Sequence, residues 1–280
     1  MANNYKGNGG LLWRIVHNQT TLYVQGIIHL GHEDFYPLAT EIEKAYESAD
    51  VILPEINVIK PDVNEEEINK LALFHEGTTL DEVVSVEYIQ KLSDIFDAQG
   101  LSLKKFNKYQ PWYIESLLGA FVREKSEVAP EYGVDLYFLK RASNDGKEII
   151  ELETVEDQYN VFSGYSIDTQ VQMLEHTIQT YEQQADWINQ LGYNWIHSNS
   201  NSGREALIKI VSNDLERADG EYQKEMNDTR NMNMVNKLDK LLQSNSGKTY
   251  FVIVGCGHTV IKPSLPSELE EKGYNVERVY

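Results

Sequence analysis

Two short apolar segments near opposite ends of the 280-residue chain each run straight into a Gly-x-x-His tetrad, "TLYVQGIIH" at 21–29 and "TYFVIVGCGH" at 249–258. β-Branched and aromatic residues crowd both runs, so both read as strands. After the first, Leu38, Ile42, Ala45, Tyr46 and Ala49 recur at helical spacing, and "VILPEIN" (51–57) follows as an apolar run suited to a buried strand. Strand, helix and strand in this order imply a parallel pair joined by a right-handed crossover. The terminal segment repeats the order: a strand at 249–255, a loop, a helix through "PSLPSELEEKG" closing on Gly273, and "YNVERVY" as a last strand.

Between these units the chain is mostly helical. Amphipathic periodicity predicts helices at 62–74, 79–98, 109–126, 134–144, 167–191, 202–218 and 221–243, with "KEIIELE" (147–153) as one further strand. The expected fold is α/β: a mixed, largely parallel sheet with flanking helices and a helical insertion over roughly 60–145. No low-complexity linker divides the chain, so a single domain over 1–280 is expected, opened by a polar leader at 1–10.

Composition narrows the partners. The net charge of −19 argues against nucleic-acid backbones and anionic membranes, which would repel the chain. A lone cysteine, Cys256, excludes an internal disulfide and reads as a core residue beside Gly257. No apolar run approaches the length of a membrane helix.

The placement of the two histidines gives the tetrads their meaning. In parallel α/β sheets the carboxyl ends of strands gather at one edge, where ligands bind. His29 and His258 are both delivered to such ends, and Glu55, near the end of "VILPEIN", belongs to the same edge. A carboxylate in an apolar strand is costly unless paired or metal-bound. In "IIELE", Glu151 and Glu153 share one strand face, and Glu153 lies nearer the carboxyl end. Two histidines and two carboxylates suit a divalent transition metal, Zn²⁺ included. The motif glycines are Gly26 and Gly255, of which Gly26 permits a close approach of backbone or substrate. His17, His32, His75, His176 and His197 sit in loops or on polar helix faces and stay outside this set. Among aromatic residues, Tyr109, Trp112, Trp187 and Trp195 are candidates for either cleft or core.

These fragments, "LYVQGIIHLG", "ESADVILPEIN", "EGTTLDEVV", "YQPWY", "YGVDLYFLKRASNDGKEIIELETVEDQ", "TRNMNM" and "FVIVGCGH", together resemble the TraB/GumN family, which includes the Tiki proteins and the pheromone-shutdown proteins. The resemblance runs over roughly residues 11 to 280. It departs at Ile27, where the family often carries Thr or Ser, and the exported or membrane-anchored segment common in the family is not seen here. It implies a fold shared with the erythromycin-esterase and ChaN-like proteins. It also implies metal-dependent peptide hydrolysis of the Tiki type, with Mn²⁺ or Co²⁺ favoured and a peptide or protein as substrate. On this resemblance the motif histidines are His29 and His258, the strand glutamate is Glu55, the "LET" glutamate is Glu153, and Arg230 is the arginine of the site, with Asn231 beside it.

The mechanism expected from this set has His29, His258 and Glu55 holding the metal, with Glu153 as proton acceptor. Arg230 would stabilise the oxyanion or fix the substrate carboxylate, with Asn231 adjacent. Glu55 and Glu153 can exchange roles. Three other functions compete: a haem- or iron-binding protein using the same edge, a metal-free esterase-like hydrolase with a histidine as base, and a regulatory or sequestering protein that binds a peptide through its helical insertion without cutting it.

Overall fold

The computed structural model describes residues 4–61, 65–75 and 77–280. Six strands form one sheet: β1 (Leu12–His17), β2 (Thr20–Ile27), β3 (Val51–Pro54), β4 (Glu148–Ile149), β5 (Thr249–Gly255) and β6 (Val276–Arg278), in the order β4-β3-β5-β2-β1-β6. From β4 to β2 the neighbours run parallel, whereas β1 is antiparallel to both β2 and β6. The fold is therefore α/β with a mixed, mostly parallel sheet.

β5 holds the centre because it is apolar on both faces. Phe251 and Ile253 pack with Tyr46, Phe138 and Trp195 on one side of the sheet. Val252 and Val254 pack with Met234, Leu238 and Leu265 on the other. Each such side chain, fully buried, contributes about 1.5–3 kcal/mol relative to leaving it in water. Helices cover both faces, which is why the central strands read as continuous apolar runs rather than alternating ones.

Three sequence-based expectations change. β2 and β3 are parallel as expected but are not neighbours, because β5 inserts between them and pairs with both. The first strand of the sheet, β1, has no counterpart among the expected elements. Its hairpin with β2 turns on Asn18, which takes a positive φ of 52° at residues 18–19; Leu12 packs on one side of the sheet and Ile15 on the other, while Arg14 and Val16 are exposed. "KEIIELE" keeps regular strand geometry only at Glu148–Ile149. Beyond it the chain still follows β3, through hydrogen bonds from the Ile150, Leu152 and Glu153 amides to the Ile52, Pro54 and Glu55 carbonyls.

Helices are shorter than the periodicity implies. The 167–191 pattern resolves into Ile167–Gln179 and Tyr181–Ile196, and the 79–98 pattern into Leu80–Val83 and Val86–Ala98. The first residues of the expected 62–74 helix lie outside the described residues, and the helix is seen from Glu65 to Ala72. Helices fill both long connections, from β3 to β4 and from β4 to β5. The segment read as a polar leader is packed: Tyr5 is buried, stacks on the His32 ring at 4.8 Å and meets Phe35. No helix among the described residues is long and apolar enough to cross a membrane.

Candidate active site

Parallel register brings the strand ends level. Ile27 at the end of β2 pairs with Gly255 at the end of β5, and Pro54 at the end of β3 pairs with Ile253. The residues that follow, His29, Glu55 and His258, therefore emerge at one edge. Gly255 lies among them. A methyl group there would sit 3.3 Å from Glu55 Oε1, 3.6 Å from His29 Nε2 and 3.7 Å from His258 Cδ2.

Each histidine is oriented through Nδ1. His29 Nδ1 lies 2.9 Å from Asp135 Oδ2, and the His29 loop is pinned by the Val134 amide donating to the Ile28 carbonyl. His258 Nδ1 lies 2.7 Å from Asn231 Oδ1, while Asn231 Nδ2 donates to the Pro263 carbonyl at 2.5 Å. With its amide group committed to Pro263, Asn231 presents only its oxygen to His258. Nδ1 then carries the proton and Nε2 is left with its lone pair. That lone pair faces Glu55 Oε1 at 3.8 Å.

Glu55, Glu153 and Arg230 form a buried charged cluster. Arg230 Nη2 lies 2.6 Å from both Glu55 Oε2 and Glu153 Oε2, and Nε donates to Glu153 Oε1 at 2.8 Å. Glu153 is thus held in the guanidinium fork, whereas Glu55 keeps Oε1 turned toward the histidines and the Gly255 amide. Gln158 Nε2 links the carboxylates, donating to Glu153 Oε2 at 3.1 Å and Glu55 Oε2 at 3.3 Å. Arg230 Nη1 has only weak partners, the Met226 carbonyl at 3.4 Å and its sulfur at 3.5 Å. A six-residue π-helical turn, Lys224–Thr229, leads into the helix that carries Arg230 and Asn231, a widened turn of the kind often found at functional sites.

The charges follow from these contacts. Burial alone would raise the Glu55 carboxyl, but Arg230, His258 and His29 outweigh it and hold its pKa at about 2. Burial lowers His258 to about 4, so its ring is neutral at pH 7. Packing around His29 would lower its pKa too, but the Asp135 hydrogen bond and charge, with Glu55, raise it to about 9. Burial, which would weaken the proton hold of Arg230, is outweighed by its two glutamates, and its pKa rises.

His29, Glu55, Glu153, Arg230, Asn231, Gly255 and His258 are therefore brought together. Gly26 is one step removed: a methyl group there would meet Thr259 Oγ1 at 2.4 Å, so the close approach is to the turn carrying His258 and not to a substrate. Glu151 turns away and accepts from the Asn57 amide. Cys256 is buried in the core, and burial pushes its thiol up to about 12. Of the aromatic candidates, Trp187 lines the cavity over the site, Trp112 lines a neighbouring cavity, Trp195 is core, and Tyr109 stacks on Tyr113. Sequence reasoning missed Asp135 and Gln158. Asp135 had a signal, because it sits on the buried face of its helix with Val134, Phe138, Leu139 and Ala142.

Among the described residues, no three His, Cys, Asp or Glu side chains are drawn tightly enough together to hold an ion as they stand. The donor chemistry nonetheless suits one. Glu55 Oε1, His29 Nε2 and the Cδ2 edge of His258 surround Gly255, each imidazole is held from behind by an oxygen acceptor, and a cation there would take the place of the proton on His29 Nε2. The lone pair of His258 Nε2 facing the Glu55 carboxylate is an arrangement that a cation relieves.

An α/β sheet with two histidines and a carboxylate–arginine cluster at the carboxyl edge of its central strands is an arrangement suited to hydrolysis or ligand capture. The profile of the TraB/PrgY/gumN family matches residues 11–278, and the chain belongs to that family. It is 28% identical over 190 residues to the uncharacterised protein YbaP of Escherichia coli (strain K12), covering 68% of this chain and 69% of that one. It is 22% identical to Metalloprotease TIKI1 of Danio rerio over 95% of this chain, which spans 62% of that relative's length. No solved structure matches the chain significantly.

Proposed function

We propose that the protein is a metal-dependent peptide hydrolase. The observation that carries this reading is the convergence of His29 Nε2, His258 and Glu55 Oε1 around Gly255, with both imidazoles oriented through Nδ1. The distant likeness to a relative named as a metalloprotease supports it, as does family membership.

His29, His258 and Glu55 would hold the divalent ion, Mn²⁺ or Co²⁺ before Zn²⁺, and the ion would polarise the scissile carbonyl and acidify the attacking water. The chain's own residues do the rest. Asp135 and Asn231 hold the imidazoles through Nδ1, so that each Nε2 is turned to the site. Glu55 and Glu153 share Arg230 and Gln158, so they act as one acidic unit that takes the water's proton and returns it to the leaving amine. Arg230 Nη1, the guanidinium nitrogen without a strong partner, donates to the developing oxyanion. The apolar wall of the cavity, including Ile28, Trp187 and Leu191, keeps bulk water from competing.

The test is turnover of a peptide mixture, read by mass spectrometry, before EDTA, after EDTA and after adding back Mn²⁺ or Co²⁺. Loss and recovery of cleavage, and loss of metal binding in His29→Ala and His258→Ala, are expected. Undiminished turnover in EDTA would replace this reading with the metal-free hydrolase.

A further inference from the structure

The mechanism uses a cavity of about 310 Å³ above His29, Arg230 and His258. A second cavity, of about 600 Å³, has no role in it, yet Gln158, the donor to both site glutamates, is part of its wall. The Pro111–Arg123 helix turns Trp112, Ser116, Gly119 and Arg123 toward this space, one helical face by their spacing, and Tyr159 and Phe162 lie opposite. Trp112 is buried, and its indole nitrogen has no hydrogen-bond partner among the described residues. Gly119 keeps the floor open: the sole atom within 4 Å of a methyl group there is Arg123 Nη1, at 3.4 Å.

Two arginines line this cavity, and they differ. Arg217 is committed, 2.7 Å from Glu115 Oε1 and 2.9 Å from the Tyr222 hydroxyl. Arg123 is exposed and has no ion pair or side-chain hydrogen bond with any described residue, in a chain with 44 acidic and 25 basic side chains. A guanidinium left without a carboxylate in so acidic a chain, facing an aromatic-walled cavity beside the reacting groups, selects an anion from outside. The first cavity is the opposite in character, walled by Ile28, Leu30, Trp187, Leu191, Val211 and Met226.

We propose that the two cavities are paired subsites for one extended peptide. An apolar side chain fills the first, and a carboxylate on the same peptide reaches Arg123 in the second. This rests on the peptide-hydrolase reading and names the substrate class for it. The two cavities adjoin at the acid cluster, since Glu55 lines the first and the next residue, Ile56, the second, while Gln158 reaches from the second to Glu55 and Glu153. The carboxylate is that of a Glu or Asp side chain or of the peptide's own C-terminus.

The test is binding, so that it does not depend on cleavage. Fluorescein-labelled decapeptides carry one leucine and one glutamate separated by zero to four residues. A matched set carries glutamine for glutamate, and both sets are made with free and with amidated C-termini. Anisotropy with the full chain in EDTA is expected to show glutamate over glutamine by about fivefold at one spacing, the upper end for an accessible ion pair. A preference that follows the free C-terminus instead identifies that carboxylate as the ligand. Arg123→Gln is expected to abolish the preference and Arg123→Lys to restore part of it. No charge preference at any spacing, or one that survives Arg123→Gln, overturns the proposal. Mass spectrometry of the same peptides with Mn²⁺ reads cleavage separately. Selective binding without cleavage sinks the hydrolase reading and leaves the paired subsites, and unselective cleavage does the reverse.

Discussion

Asn231 fixes the tautomer of His258: its amide nitrogen is taken by the Pro263 carbonyl, so only its oxygen, 2.7 Å away, can meet His258 Nδ1. Replacing Asn231 with alanine frees the ring to place its proton on Nε2, the nitrogen facing Glu55. Partners of this kind typically matter by about 10–100-fold in metal affinity or activity. We expect Asn231→Ala to lose kcat/KM on that scale with its fold intact, and ¹⁵N NMR of the imidazole to show the tautomer redistributed.

Asp135 orients His29 across the cavity through a hydrogen bond to Nδ1 at 2.9 Å. Calorimetric titration with Mn²⁺ or Co²⁺ should give Asp135→Asn an affinity about 10–100-fold below that of the parent. Equal affinity in the two proteins would remove Asp135 from the site.

Arg230 compensates two carboxylates that are almost wholly buried. Removing one partner of such a cluster costs about 3–5 kcal/mol, because the remaining charges stay buried without a counterion. Urea unfolding should find Arg230→Met destabilised on that scale. The double variant Arg230→Met/Glu153→Gln should regain part of the loss, since one of the two orphaned charges is gone.

The two motif glycines should fail in different ways. A methyl group at Gly26 collides with Thr259, 2.4 Å away, so Gly26→Ala should lose about 1–3 kcal/mol of stability. At Gly255 the same methyl group has 3.3–3.7 Å of room but fills the space between His29, Glu55 and His258. Gly255→Ala should melt close to the parent and yet turn over little peptide.

Away from the site, His176 predicts a pH dependence of stability. Burial, and after it Arg217, lowers its pKa below the ordinary 6.5, against opposing carboxylates. The unfolded chain therefore binds a proton at this ring more readily than the folded one. The histidine's contribution is fully present above pH 6.5 and is lost as pH falls through that value and below. Unfolding curves at pH 7 and pH 5 should show a smaller drop for His176→Gln than for the parent.

What the sequence made legible were the features written in local spacing. The apolar runs, the placement of His29, Glu55 and His258 at strand ends, and the acid face of "IIELE" all follow from short-range periodicity. The partners that hold them do not, because they come from distant segments: Asp135 from the start of one helix, Gln158 from another. Strand order was hidden for the same reason, since nothing near β2 or β3 announces that β5 inserts between them. Arg230 and Asn231 were reached through family resemblance, as neither stands out in a polar helix turn. β1 was legible in principle, through its apolar residues and the Asn18 turn, but its short polar-flanked pattern is easily passed over.

The central position of β5 has a consequence for how the protein is made. The ribosome delivers β2 and β3 long before the strand that joins them, so the growing chain carries two strand edges with their shared partner still unmade. Gly255 and His258 arrive with that late strand. Synthesis therefore withholds the candidate site until β5 has been made, and a chain cut short before β5 is left with neither its central strand nor its pair of histidines.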